Sequence, residues 1–312
     1  MNSYISFYNI SKKQLKQIPL SKADEEFIEI ADEATKKVYP AFSITDYMLY
    51  NQTGDRYTYE EPHRQKRVDC TALAAALWLT GDEKYIKPLT NLIFAICDEF
   101  TWGVPAHASM YEKDSSDIEL LIQEIDLYNT RTCTCLCDCL AIVGDKLPKI
   151  VYQRVEYEVR RRIIEGFKKH KFRWENWNNN WIVTCLLGVM SGFSKFGTKE
   201  EFEEQLPRID ALLDKYIKGF GEDYCCLEGS GYWSAFSAFL RCGVIVSDFT
   251  DGKINYFERK DVKEVAKFSQ KVLLAENVAT GFSDTRTEFR FSPALYSYLK
   301  KLYKDEIYVE RY

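Results

Sequence analysis

The stretch GFGEDYCCLEGSGYW, residues 219–233, sets the carboxylates Glu222, Asp223 and Glu228, the adjacent thiols Cys225 and Cys226, and the phenol of Tyr232 among closely spaced glycines. Glycines so close together cost backbone entropy and are kept where the chain turns sharply or something must come near it. Paired carboxylates are the equipment of glycoside hydrolysis, one protonated to give its proton and the other ionised. A tyrosine holds its proton at neutral pH, its ordinary pKa being about 10, and becomes a base only where a cation or strong donor favours phenolate. A second polar stretch, NWNNNW, sets Asn178, Asn179 and Asn180 directly before Trp181. Such a run supplies neutral amide donors, and it serves equally well as a cap for a helix starting near Trp181.

The remaining reactive side chains narrow the chemistry. The sequence holds three histidines. His63 and His170 stand in highly charged, surface-like contexts and are expected to take no part in catalysis, whereas His107, in WGVPAHAS, falls in a loop that could line a groove. The run RTCTCLCDC puts Cys133, Cys135, Cys137 and Cys139 at alternate positions. On a helix, Cys133 and Cys137 share one face while Cys135 and Cys139 share another, which is poor geometry for a four-thiolate ion site. These cysteines are expected to be small core residues, with no metal and no cofactor. The run RRRIIEGFKKHKFRW is basic, and Arg160, Arg161 and Arg162 are expected to lie solvated on an outer helix. Phosphate-binding loops, dinucleotide fingerprints, H-E-x-x-H and G-x-S-x-G are all missing from the sequence.

The elements that must position these residues read as helices. CTALAAALWLTGDEKYIKPLTNLIFAICDEF is an apolar stretch, a Gly-Asp turn at Gly81 and Asp82, and an amphipathic stretch. The same plan recurs around Gly144 and Asp145, again in WIVTCLLGVMSGFSKFGTKEEFEEQLPRIDALLDKYI, and again from Trp233 onwards. First helices apolar all round and second helices two-faced predict an inner and an outer layer. The expectation is all-α: an incomplete (α/α) toroid of stacked hairpins with about ten helices, one domain over 1–312, and no strands. With 46% hydrophobic residues the chain can bury a large core, and its net charge of −5 argues against a general nucleic-acid partner. The sequence has no stretch suited to crossing a bilayer and no export signal at MNSYISFYNI, so a cytoplasmic location and no membrane partner are expected.

Four stretches, FTWGVPAHAS, GDKLPKIVYQRVEYEVRRRIIEGF, NWNNNWIVTC and GFGEDYCCLEGSGYW, make the sequence resemble the N-terminal α/α-toroid domain of heparinase II/III-like polysaccharide lyases over about residues 60–290. The resemblance implies β-elimination on a uronate glycan: the C5 proton is removed, the bond from C4 to the leaving oxygen breaks, and the uronate carboxylate must be neutralised. It implies that Tyr232 is the base and acid, that Asn179 and Asn180 neutralise the carboxylate, and that His107 joins the catalytic groove. Glu228, Trp174, Trp181, Trp233 and Arg286 become expected substrate contacts; GFSDTRTEFRF holds Asp284, Arg286 and Arg290, and Arg286 either pairs with a uronate carboxylate or bridges to Asp284 or Glu288. Relatives continue into a β-sandwich that this sequence does not show, which brings in a separate sandwich chain or self-association as expected partners beside an anionic oligosaccharide or polysaccharide.

Two rival readings stand beside the lyase. Glu222, Asp223 and Glu228 keep an α/α-toroid glycoside hydrolase open. A carbohydrate-binding toroid without its partner domain is the non-enzymatic alternative.

Overall fold

A computed structural model describes residues 20–108, 118–275, 278–288 and 292–307. The described residues are overwhelmingly helical, so the all-α expectation holds. They divide into two compact units, one drawn from Met1–His170 and Ser191–Gly197, the other from Lys171–Met190 and Thr198–Tyr312.

In the first unit the helices are α1 (Lys22–Ala34), α2 (Ile44–Thr53), α3 (Tyr57–Thr80), α4 (Ile86–Cys97), α5 (Ile118–Ile122), α6 (Leu127–Val143), α7 (Lys149–Val159) and α8 (Glu165–Lys169). α3 stops where the sequence says it must: Gly81 takes φ +72°, a left-handed cap that costs glycine little. Asp82 then accepts from the Lys84 N–H to start the next turn. Cys70, Ala72, Leu73, Ala74, Ala76 and Leu77 of α3 are all fully buried, the inner-helix pattern that small apolar residues predict. A π-turn over Arg160–Ile164 links α7 to α8.

α9 (Trp181–Phe196) carries residues of both units. The second unit continues with α10 (Lys199–Lys218), α11 (Ser230–Trp233), α12 (Phe236–Phe249), α13 (Lys260–Ala266), α14 (Phe268–Val272) and α15 (Pro293–Tyr303). α10 opens with a reciprocal cap in which Thr198 and Glu201 satisfy each other's backbone N–H groups. One face of α10 buries Phe202, Ile209, Leu213 and Ile217 while Glu203, Glu204 and Asp210 face water, as a two-faced outer helix should.

Three expectations are corrected. A short antiparallel hairpin, β1 (Leu273–Ala275) with β2 (Val278–Ala279), interrupts the helices of the second unit. His63 is buried, 1% exposed, with Nε2 at 3.0 Å from the Trp102 carbonyl. The rings of Phe42 and Tyr128, from other segments, pack against it beside Tyr59 of its own helix, which is why a charged sequence context misleads. Arg162 is likewise 2% exposed, bound to Glu158 and to the Glu99 and Phe100 carbonyls. Of the three arginines read as solvated, it is an interior residue.

Candidate active site

The opening stretch and the asparagine run meet inside the second unit. Gly219 permits the meeting: a Cβ there would lie 2.5 Å from the Asn178 carbonyl oxygen, so only glycine lets the two backbones touch. Asn178, Asn179, Asn180, Glu228 and Tyr232 line one open cleft of about 110 Å³, together with Tyr216 and Phe220.

Gly229 has a different neighbour from the one its sequence setting suggests. Its φ is +95°, and a Cβ on it would collide with Thr285 Oγ1 and sit 2.8 Å from the Phe282 carbonyl oxygen. The close approach is made by the protein's own segment 282–285. Thr285 fastens that segment, donating to the Glu228 carbonyl at 3.3 Å and accepting from the Gly231 N–H at 3.3 Å. The neighbouring Asp284 is thereby brought to Tyr232, whose hydroxyl donates to Asp284 Oδ2 at 2.9 Å. The Gly-Ser-Gly bend therefore builds the Tyr232–Asp284 pair.

That pair changes the protonation expected of Tyr232. A carboxylate now stands where a cation would be needed to make phenolate. The Tyr232 hydroxyl is held above its ordinary pKa, first because it donates to Asp284 and second by partial burial. Glu228 is half-buried, and the desolvation raises its carboxyl above the usual range; the Asn180 N–H at 3.3 Å opposes this and the Asp284 charge adds to it. The cleft thus holds a protonated phenol beside a carboxyl of increased basicity.

The capping reading of the asparagine run is realised in Asn179. Asn179 Oδ1 accepts from the Trp181 N–H at 3.1 Å, capping α9. The cap uses the carbonyl end of the amide and no hydrogen bond ties its NH2 end to another described residue. Asn180 contributes its backbone N–H to Glu228. Tyr216 adds a signal the sequence did not mark: its hydroxyl is buried in the cleft lining without a hydrogen-bond partner among the described residues. Buried hydroxyls are seldom left so, and one that lines a cleft invites a ligand hydroxyl or water.

Other expected contacts are placed elsewhere. Trp233 is 0% exposed, its indole N–H donating to the Val265 carbonyl at 2.8 Å. Trp174 is 2% exposed and stacks on Phe172 at 5.9 Å. Neither ring offers a face to a sugar, because both supply core area that the short helices around them lack. Trp181 packs edge-on against Trp177 at 5.1 Å, and Trp177 is the more open ring at 37% exposed. Arg286 is exposed and makes no ion pair with a described residue, while Arg290 lies outside the described residues. His107 belongs to the first unit and does not line this cleft. There its Nδ1 sits 3.1 Å from Asp126 Oδ2, and the other oxygen of Asp126 caps α6.

No protein-family model matches the chain, and no curated protein matches it. Among the described residues, no helix is long and apolar enough to cross a membrane.

Proposed function

We propose that the second unit's cleft binds a uronate-containing oligosaccharide or polysaccharide and cleaves it by β-elimination. The observation that carries this reading is the juxtaposition of the protonated Tyr232, the basic carboxyl of Glu228 and the amide of Asn179 in one cleft. The resemblance of NWNNNWIVTC and GFGEDYCCLEGSGYW to heparinase II/III-like lyases points the same way.

Magnitudes assign the roles. Making phenolate by passing the Tyr232 proton to Asp284 spans about 6 pKa units of ordinary difference, or roughly 8 kcal/mol, before any shift is counted. Tyr232 is therefore the acid, protonating the leaving oxygen on C4. Glu228 takes the C5 proton, burial having raised its proton affinity. The NH2 end of Asn179 donates to the uronate carboxylate and offsets the charge that grows on it as C5 loses its proton. Arg286 supplies positive charge on segment 282–288, and the unpartnered Tyr216 hydroxyl takes a sugar hydroxyl.

A second reading is favoured by one observation: Glu228 and Asp284 are two carboxylates, one of them raised, influencing each other across the same tyrosine. That arrangement suits hydrolysis of a uronide, with Glu228 as the acid. The two separate on one assay with heparin-like, chondroitin-like, alginate and pectin fragments. Elimination gives an ultraviolet-absorbing unsaturated uronate, hydrolysis a new reducing end without it. Binding seen by calorimetry with neither product would leave only a carbohydrate-binding role.

A further inference from the structure

The first unit gathers three thiols that the alternating cysteine run conceals. Cys135 and Cys139, one turn apart on α6, face Cys70 of α3, and the three sulfurs lie within 4.8 Å of one another. Cys70 and Cys139 are 3.7 Å apart. Four thiolates of one helix cannot converge, as the sequence reading held; two from one helix and one from its neighbour can. We propose that Cys70, Cys135 and Cys139 form a binding site for one thiophilic d10 cation, cuprous or zinc.

Three observations support the site. The first is spacing. With metal–sulfur bonds of about 2.3 Å, sulfurs around a tetrahedral or trigonal ion stand roughly 3.8–4.0 Å apart. The Cys70–Cys139 separation already matches, and the widest separation in the trio needs to close by less than 1 Å. The second is donor type. The convergent donors are all sulfur, the ligand set that selects cuprous copper and zinc over magnesium, calcium or manganese. The third is access. Cys70 and Cys139 are buried but Cys135 is only partly buried, which gives the ion a way in.

The Thr71 hydroxyl stands 3.4 Å from the Cys135 sulfur, and the thiols' own hydrogen bonds are long: Cys135 and Cys139 reach the Arg67 and Cys70 carbonyls only at 3.7 and 3.8 Å. Cys133 and Cys137, 4.0 Å apart on the other face of α6, join no third ligand among the described residues and serve as the internal control.

The test uses the full chain, reduced and purified anaerobically. It is titrated with cuprous ion against a chromophoric chelator and, separately, with zinc against a second chelator, with intact-mass measurement of stoichiometry. One equivalent should bind, and the stronger arm identifies the ion. Cys70→Ser and Cys135→Ser should each weaken binding by more than the roughly 10–100-fold that loss of an outer-shell partner costs, while Cys133→Ser leaves it unchanged. Circular dichroism of each variant separates lost ligation from lost fold, and Cys135→Ser, at the least buried of the three positions, is the variant least able to unfold the protein. Absence of binding in the folded wild type, binding indifferent to Cys135→Ser, or a Cys70–Cys139 disulfide as the stable product would overturn the site.

Discussion

The carboxylates of the first unit's interior and those of the second unit's cleft have different partners. In the first, the buried carboxylates Glu99 and Glu158 are surrounded by cations. Glu99 receives Arg67 through both guanidinium ends and Lys66 at 3.4 Å. Glu158 receives Arg154, Arg161 and Arg162, and Asp69 receives Lys37, Tyr39 and Gln65. In the second unit's cleft, Glu228 has one backbone N–H and Asp284 has the Tyr232 phenol. Saturated carboxylates fix helices against one another. Carboxylates left short of donors keep their proton affinity adjustable, which acid–base chemistry requires.

The largest expected effect strikes the cleft alone. Tyr232→Phe and Glu228→Gln should each lower turnover of a uronate oligosaccharide by about 10²–10⁴-fold, the usual worth of a positioned acid or base, with thermal stability little changed. Steady-state rates beside a melting curve check both halves of the statement. In the first unit the signs reverse: Glu99→Gln leaves Arg67 and Lys66 buried without their counter-charge and should cost about 3–5 kcal/mol in denaturant unfolding. Turnover per folded molecule should not change.

Between these extremes lies Gly229→Ala. Its φ of +95° and the collision with Thr285 Oγ1 would push segment 282–285 away from Tyr232. The outcome should be a loss of roughly 1–3 kcal/mol and most of the activity. A Gly229→Ala protein with full activity would show that Asp284 need not meet Tyr232.

The pH profile sharpens the contrast further. The base must be ionised and Glu228 is raised, so activity should climb with pH along an acid limb lying above the ordinary glutamate range. Tyr232 must keep its proton and is also raised, so the alkaline limb should lie above the ordinary tyrosine value. Asp284→Asn removes the charge that holds the phenol's proton and should move that limb to lower pH. The smallest effect belongs to Tyr216→Phe, which deletes a buried hydroxyl with no partner among the described residues: stability should stay within about 0.5 kcal/mol, while KM rises.

Much of this was legible in the residues. Gly81 and Thr198 mark helix boundaries through their own conformational and capping preferences, and the structure keeps both. The pairing of residues 176–181 with 219–233 was legible as two unusual polar stretches. Local pattern could not reveal what distant segments supply. The Tyr232–Asp284 bond joins residues far apart in sequence, so the partner that holds the phenol's proton was not legible locally. His63 and Arg162 look solvated among charged neighbours because the groups they bind, the Trp102 and Glu99 carbonyls, arrive from a distant segment. Trp174 and Trp233 were indistinguishable from sugar-stacking rings until their burial was known, whereas Cys135 and Cys139 at helical spacing did mark one shared face of α6.

The measurement that bears most directly on the cleft is a side-by-side comparison of wild type and Tyr232→Phe on one uronate oligosaccharide, following binding by calorimetry and product by ultraviolet absorbance. Both proteins should bind with similar affinity, and only the wild type should generate the unsaturated product. Equal product from both proteins would contradict the assignment of Tyr232 as the acid. Absence of binding by either, across the glycan panel, would contradict the cleft as a uronate site.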